Sequence, residues 1–255
     1  LFEVFPHTGY LPPTYWDFET GQPVHNEVRF RDHGSEIIPG LVELYLLERE
    51  MGRPQAARYR EPLRHMLEAV LAHGRTEDGL WYSIVDLETG QPVERSIVDT
   101  WGYILNAYQT FDLVEKTDTY AAEIESMMRA VTTHRSFRWE GPLQDGYADT
   151  IESMLYLLPW FDIPECHRWV DDEIEVMFRK QLPSGFIEAW YLDGNFIRTA
   201  LLYATYKTQG VTYDPWQEDV RLGVAYDRDK GELYLHLAAE TGWEGVLKFD
   251  LPRHR

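Results

Sequence analysis

Four short segments of the chain place an aspartate next to aromatic or basic side chains, each close to the start of a predicted helix. The aspartates and their nearest such neighbours are Asp32 with His33, Asp99 with Trp101, Asp149 with Tyr147, and Asp193 with Trp190. Carboxyl groups exchange protons with leaving groups and with water, and aromatic rings offer a flat apolar face with a polar edge. A protonated carboxyl beside an ionised one is the pair that hydrolyses glycosidic bonds. We therefore predict a sugar-cleaving site with Asp149 as acid/base and Asp99 as its partner.

The other residues near these segments are expected to bind the substrate. Arginine holds carboxylates through paired hydrogen bonds, so Arg29, Arg31 and Arg198 predict recognition of a uronic acid. A network of structural ion pairs explains them equally well, with Glu27, Asp32 and Asp193 as partners. His33 is expected to act as a proton shuttle, or else to be a hydrogen-bonded structural histidine. The predicted substrate-binding residues are Trp101, Tyr147, Trp190, Arg29, Arg31, Arg198, Asp32 and Asp193.

Helix capping is the simpler explanation for each aspartate alone. Aspartate is a preferred N-cap, and Asp149 followed by Glu152 has the spacing of a capping box. Caps do not account for the aromatic rings and arginines beside the acids. The combination therefore favours a site at the helix starts.

Two kinds of helical segment alternate along the chain and would position these residues. One kind carries a single apolar stripe with the 3.6-residue period of a helix that has one wet face. The other, the inner set, is apolar nearly all round and so predicts burial on every side. The inner set covers Ile37–Leu47, Trp101–Phe111, Ile151–Phe161 and Phe196–Tyr206, and the striped set covers residues 63–71, 120–131 and 169–178. We predict a mainly α fold in which helical hairpins place inner helices inside outer ones, with the inner helices beginning near Gly34, Asp99, Asp149 and Gly194.

An eight-residue repeat supports an array of hairpins. Asp17–Val24 recurs as Asp86–Val93 with seven of eight positions identical. Each copy contains Glu-Thr-Gly-Gln, which predicts a tight turn with its glycine at positive φ. After Gly210 the pattern changes to strands over 220–226, 232–237 and 242–250, which predict a small antiparallel sheet. We therefore expect a helical domain over residues 1–211 and the start of a β domain over 212–255.

Composition excludes several classes of function. The chain has 43 acidic and 24 basic side chains and a net charge of −19, which disfavours nucleic acid and anionic membranes as partners. It has one cysteine, Cys166, and its histidines lack the spacing of a metal site, so we predict no metal and no cofactor. No phosphate-binding glycine loop is present. The chain begins and ends in apolar or strand-like segments, so we expect it to be part of a longer polypeptide and predict no localisation.

These helices and their starts resemble the (α/α) toroid carbohydrate-active enzymes. Asp99-Thr-Trp101 and Gly146-Tyr-Ala-Asp149 look similar to the helix starts that hold the catalytic aspartates of unsaturated glucuronyl hydrolase-like glycosidases. The resemblance covers roughly residues 25–210. A complete toroid has more helices than the seven predicted here, which implies an incomplete toroid with helices missing upstream. The strand-rich segment after the helices also resembles the toroid polysaccharide lyases.

The leading expectation is thus a glycoside hydrolase that acts on uronic-acid-containing oligosaccharides. One alternative is a polysaccharide lyase, in which His33 or Tyr147 abstracts a proton and an arginine neutralises the uronate. The other is a binding scaffold of helical hairpins without enzymatic activity, in which the aspartates are plain caps. Fold class does not choose among these three.

Overall fold

A computed structural model describes residues 3–96, 98–134, 144–187, 194–227 and 230–249; within these ranges, the side chains of residues 32, 33, 144, 145 and 226 are left out of the description. The chain divides into two compact units, Leu1–Glu188 and Ala189–Arg255. Seven α-helices lie within the described ranges, which confirms the mainly α prediction. They are α1 Ile37–Glu50, α2 Ala56–Gly74, α3 Trp101–Glu115, α4 Ala121–Thr133, α5 Gln144–Leu157, α6 Pro164–Arg179 and α7 Asn195–Thr208.

The first six helices pack as three hairpins in the first unit. α1 packs on α2, α3 on α4 and α5 on α6, while α3 also lies between α1 and α5. α3 is buried nearly all round, from Trp101 to Asp112. α1 differs from the prediction, because Leu44 is 38% exposed and Leu47 54% exposed. Among the described residues, part of the apolar surface of α1 therefore stays uncovered.

The carboxylate of Glu115, on α3, accepts hydrogen bonds from side chains of α1 and α2 and so joins the first three helices. Its side chain is 8% exposed and accepts hydrogen bonds from Tyr45 Oη at 2.5 Å and Arg60 Nε at 2.5 Å. Arg49 completes the cluster. Burial raises the pKa of Glu115, but the hydrogen bonds and the arginine charges outweigh burial, so this pKa lies below its ordinary value of 4.5.

We expect Glu115→Gln to destabilise the fold by about 2 kcal/mol at pH 7, since hydrogen bonds to a charged group are lost. A depressed folded pKa means that the carboxylate stabilises the fold above its unfolded pKa, and that this stability is lost as the pH falls through the folded pKa. The difference in unfolding free energy between the wild type and the variant should therefore shrink below pH 4.5.

Urea unfolding of both proteins from pH 7 to pH 3 measures this difference. Glu50→Gln is the matched control, because Glu50 lies on the exposed side of α1. A wild-type-to-variant difference that stays constant over the whole pH range would show that the charge of Glu115 does not stabilise the hairpins.

Short strands connect the hairpins of the first unit at one end. β1 Trp16–Asp17 pairs with β2 Gln22–Pro23, and β3 Glu27–Arg29, β4 Ile84–Asp86 and β5 Pro92–Glu94 form a three-stranded antiparallel sheet in that order. The two repeat copies adopt the predicted turn. Gly21 has φ +66° and Gly90 has φ +65°. The carboxylates of Asp17 and Asp86 each accept backbone N–H groups two and three residues later, which lowers the pKa of both.

The second unit contains α7 and four strands. β7 Arg221–Asp227 and β8 Glu232–Ala238 form the predicted hairpin. The predicted third strand shortens to β9 Val246–Phe249, and it pairs with β6 Val211–Asp214 instead of joining β7 and β8. α7 packs on β6 and β7 and lies in the unit Ala189–Arg255. Its side chains Ile197 and Leu201 are about two-thirds exposed, unlike the predicted inner helix.

Candidate active site

The turns that precede α1 and α3 are linked to each other, and the turn before α3 is also linked to the middle of α5, by side-chain hydrogen bonds. Ser35, in the 3₁₀ turn that leads into α1, lies 3.0 Å from Thr100 through their hydroxyl oxygens. The carbonyl of Asp99 accepts hydrogen bonds from the hydroxyls of Thr150 and Ser153, each at 3.2 Å. Segments more than 50 residues apart in sequence therefore meet in one place.

The Asp99 carboxylate lies against the first turn of α5. A Cβ atom built on Gly146 would come 2.5 Å from Asp99 Oδ2, so only a glycine lets the carboxylate approach this closely. Asp99 Oδ1 accepts the Thr100 N–H at 2.9 Å. No side-chain capping hydrogen bond is formed at the start of α3. Asp99 is therefore not an ordinary N-cap, and it sits where the partial positive charge of the α5 N-terminus favours an anion.

Asp149 lies in the second turn of α5, not at its start. The sequence predicted that this helix begins near Asp149, but it begins at Gln144. The predicted capping box with Glu152 is therefore wrong, because a residue inside the helix cannot cap it. Asp149 is half-buried, and Tyr103 Oη donates to its Oδ1 at 3.4 Å. Glu152 is buried and accepts a hydrogen bond from Tyr156 Oη at 2.5 Å.

Tyr103 is a site residue that sequence reasoning missed. It lies in the first turn of α3, and its hydroxyl reaches Asp149 on α5. Its ring is half-buried and packs edge-to-face on Tyr156 with a centroid distance of 5.9 Å. No spacing in the sequence could have identified it, because its partner Asp149 lies 46 residues later.

Two of the predicted sugar-stacking residues are buried. Trp101 is 1% exposed and Tyr147 is 2% exposed. Tyr147 Oη donates to Glu173 Oε2 on α6 at 2.7 Å, so the hydroxyl points toward the outer helix. The indole N–H of Trp101 has no hydrogen-bond partner among the described residues. A sugar can stack on an aromatic ring only where one face of the ring is open to solvent. Both rings are covered by the protein, so their roles in stacking stay predictions.

Both arginines of the first unit that were predicted to hold the substrate form ion pairs with glutamates of the chain. Arg29 Nε lies 2.7 Å from Glu27, the partner that the ion-pair interpretation named. Arg31 holds both oxygens of Glu94, at 3.1 and 3.4 Å. Glu94 ends β5 and was not anticipated from the sequence.

The other predicted site residues lie in the second unit, are described by their backbone alone, or lie outside the described residues. Arg198 is exposed in the first turn of α7, in the second unit. The backbone of Asp32 and His33 forms a 3₁₀ turn, but their side chains are not among those described. Trp190 and Asp193 lie outside the described residues.

The described part of the chain gives little support for metal binding, thiol chemistry or a membrane-spanning helix. No group of three or more His, Cys, Asp or Glu side chains there is arranged to hold a metal ion. Burial raises the pKa of the Cys166 thiol to about 11, so it is unreactive near neutral pH. Within the same residues, no helix combines the length and apolar character needed to cross a membrane.

Comparison with protein-family models and with curated proteins finds no match to this chain. The geometry of the helix starts is therefore the basis on which a function can be assigned.

Proposed function

We propose that this protein is a glycoside hydrolase of the (α/α) toroid type that cleaves uronic-acid-containing oligosaccharides by acid/base catalysis. The observation that carries the proposal is the placement of Asp99, just before α3, against α5, which carries Asp149. The Asp99 carbonyl accepts hydrogen bonds from α5, and both aspartate side chains are half-buried. Thr100, not Asp99, is the N-cap residue of α3, and Asp149 lies inside α5, so helix capping does not account for either aspartate. Two carboxyl groups that are reachable from solvent and held by a rigid scaffold are what glycosidic hydrolysis needs.

The surroundings of the two carboxyl groups favour different roles. Asp99 accepts a backbone N–H and lies beside the first turn of α5, and both features stabilise a charged carboxylate. It is suited to act as the base or nucleophile. Asp149 accepts a long hydrogen bond from the neutral Tyr103 hydroxyl. It is suited to carry the proton that the leaving oxygen requires.

The acidic character of the substrate is proposed from the arginines beside the α1 start. Arg31 holds Glu94 through one hydrogen bond and one further ion-pair contact, and its side chain is one-third exposed. A uronate carboxylate has the same shape as the Glu94 carboxylate, so it can exchange with Glu94 on this guanidinium. Arg29 reaches solvent to a similar extent.

Incubation with a panel of acidic and neutral oligosaccharides, followed by mass spectrometry, tests this function. We expect cleavage of uronic-acid-containing members with the gain of one water per bond. Cleavage without water gain would support β-elimination and overturn the hydrolase proposal. No cleavage of any member would favour a binding scaffold instead.

A further inference from the structure

A separate cleft lies in the first unit, at the end of β3 that faces away from the helix starts. β3 begins next to Asn26 in this cleft and ends at Arg29, after which the chain reaches the turn before α1. The cleft has a volume of about 370 Å³. This is at the small end of the range for ligand-binding pockets. Neither Asp99 nor Asp149 is among the residues that line the cleft.

The two copies of the sequence repeat meet at this cleft. Gly21, Gln22 and Pro23 of the first copy line one side, and Leu87 and Glu88 of the second copy line the other.

Two hydrogen bonds of Asn26 tie the two copies together. Asn26 Nδ2 donates to Asp86 Oδ2 at 2.9 Å, and the Asn26 carbonyl accepts the Leu87 N–H at 3.3 Å. The turn backbones on both sides are fixed by their own aspartates. The cleft is therefore built from ordered turns and not from a loose loop.

Polar groups without protein partners surround an indole ring in the cleft. Trp16 is half-buried and contributes the large apolar surface, next to Val4. The side chains of His7, Gln22 and Glu88 are exposed, and within the described residues none of them forms a hydrogen bond or ion pair. These donors and acceptors are therefore available to a ligand that packs on the indole.

The lining selects a neutral ligand with many hydroxyl groups. The described residues that line the cleft include no lysine or arginine and a single carboxylate, that of Glu88. A phosphate or a uronate would meet Glu88 without a cation to balance it, which is unfavourable. A pyranose ring combines an apolar face for the indole with hydroxyls for amide, imidazole and carboxylate groups.

We propose that this cleft binds a neutral sugar ring of an oligosaccharide, with Trp16 against the face of the ring and Gln22 and Glu88 at its hydroxyls. The cleft is a binding site distinct from the aspartate pair. Its existence does not depend on the proposed hydrolase function, because none of its lining residues belongs to that site.

Calorimetric titration of the full chain with cellotetraose, xylotetraose, mannotetraose and tetragalacturonic acid tests the proposal. Every protein in these titrations also carries Asp149→Asn, so that no oligosaccharide is cleaved during the measurement. We expect at least one neutral tetrasaccharide to bind saturably, and Trp16→Ala to weaken that binding about tenfold or more. Phe18→Ala is the matched control, since Phe18 is an aromatic residue of the same hairpin, 86% exposed and outside the cleft. It should leave the affinity unchanged.

Gln22→Ala keeps the test decisive if Trp16→Ala fails to fold. Gln22 is exposed, so its truncation should preserve the fold while weakening binding severalfold. Three results would overturn the proposal: no binding by any neutral tetrasaccharide, equal effects of the Trp16 and Phe18 changes, or an affinity for tetragalacturonic acid that also depends on Trp16. The two proposals can fail separately. If the wild-type protein cleaves no oligosaccharide but a neutral tetrasaccharide still binds in a manner that depends on Trp16, the proposed function fails and this inference holds.

Discussion

Asp149→Asn is expected to lower the turnover of a cleaved oligosaccharide by at least about 100-fold, the contribution that general acid–base catalysis makes. An amide has the shape of the carboxyl group but cannot donate its proton to the leaving oxygen. The amide oxygen can still accept the Tyr103 hydroxyl, so the unfolding free energy should change by less than about 0.5 kcal/mol. Initial rates and urea unfolding of the same preparation measure both quantities.

Two further variants show whether the loss is specific to the pair. Asp99→Asn should lower turnover by a similar factor, because the base is removed and the backbone bonds of Asp99 are kept. Asp118→Asn is the matched control, as Asp118 is an exposed aspartate between α3 and α4. It should leave turnover unchanged. An Asp149→Asn protein with wild-type turnover would remove Asp149 from the mechanism.

Gly102→Ala is expected to destabilise the fold by about 3 kcal/mol, the upper end of the usual cost of overpacking. A Cβ on Gly102 would lie 2.5 Å from both the Cβ and the carbonyl oxygen of Ser153. A backbone carbonyl in a buried helix cannot move aside, so α3 and α5 would have to separate. The same shift would move Asp99 relative to Asp149. Urea unfolding and the turnover rate should therefore both change.

Gly40→Ala provides the matched control for this contact. Gly40 is also a helical glycine, but a Cβ built on it has no neighbouring atom within 4 Å. Alanine should therefore stabilise α1 by about 0.5–1 kcal/mol through its higher helix propensity. Similar destabilisation by both changes would show that helix propensity, and not the approach of α3 to α5, determines the effect of Gly102→Ala.

Features encoded by local patterns could be predicted from the sequence. The seven helices follow from the spacing of apolar residues, and the turn at Gly90 follows from its match with the turn at Gly21. The β7–β8 hairpin was predicted because its strands are adjacent in sequence. The start of α5 was not, because Gln144, Asp145 and Gly146 are polar or helix-disfavouring residues without apolar periodicity.

Features that depend on distant pairing could not be predicted. β3 pairs with β4 nearly 60 residues later, and each strand is only three residues long. The bond between Arg31 and Glu94 depends on that same sheet. The burial of Trp101 also follows from tertiary packing, and the sequence does not distinguish a covered aromatic ring from one that faces a ligand.

Hydrolysis in ¹⁸O-labelled water tests most directly whether Asp99 and Asp149 cleave a glycosidic bond with water. The wild-type protein is incubated with a uronic-acid-containing oligosaccharide in labelled water, and the products are analysed by mass spectrometry. We predict one ¹⁸O atom at each newly formed reducing end, and no labelled product from the Asp149→Asn protein. Unlabelled fragments with an unsaturated, ultraviolet-absorbing end group would contradict the proposal, since they would show that the bond breaks by elimination.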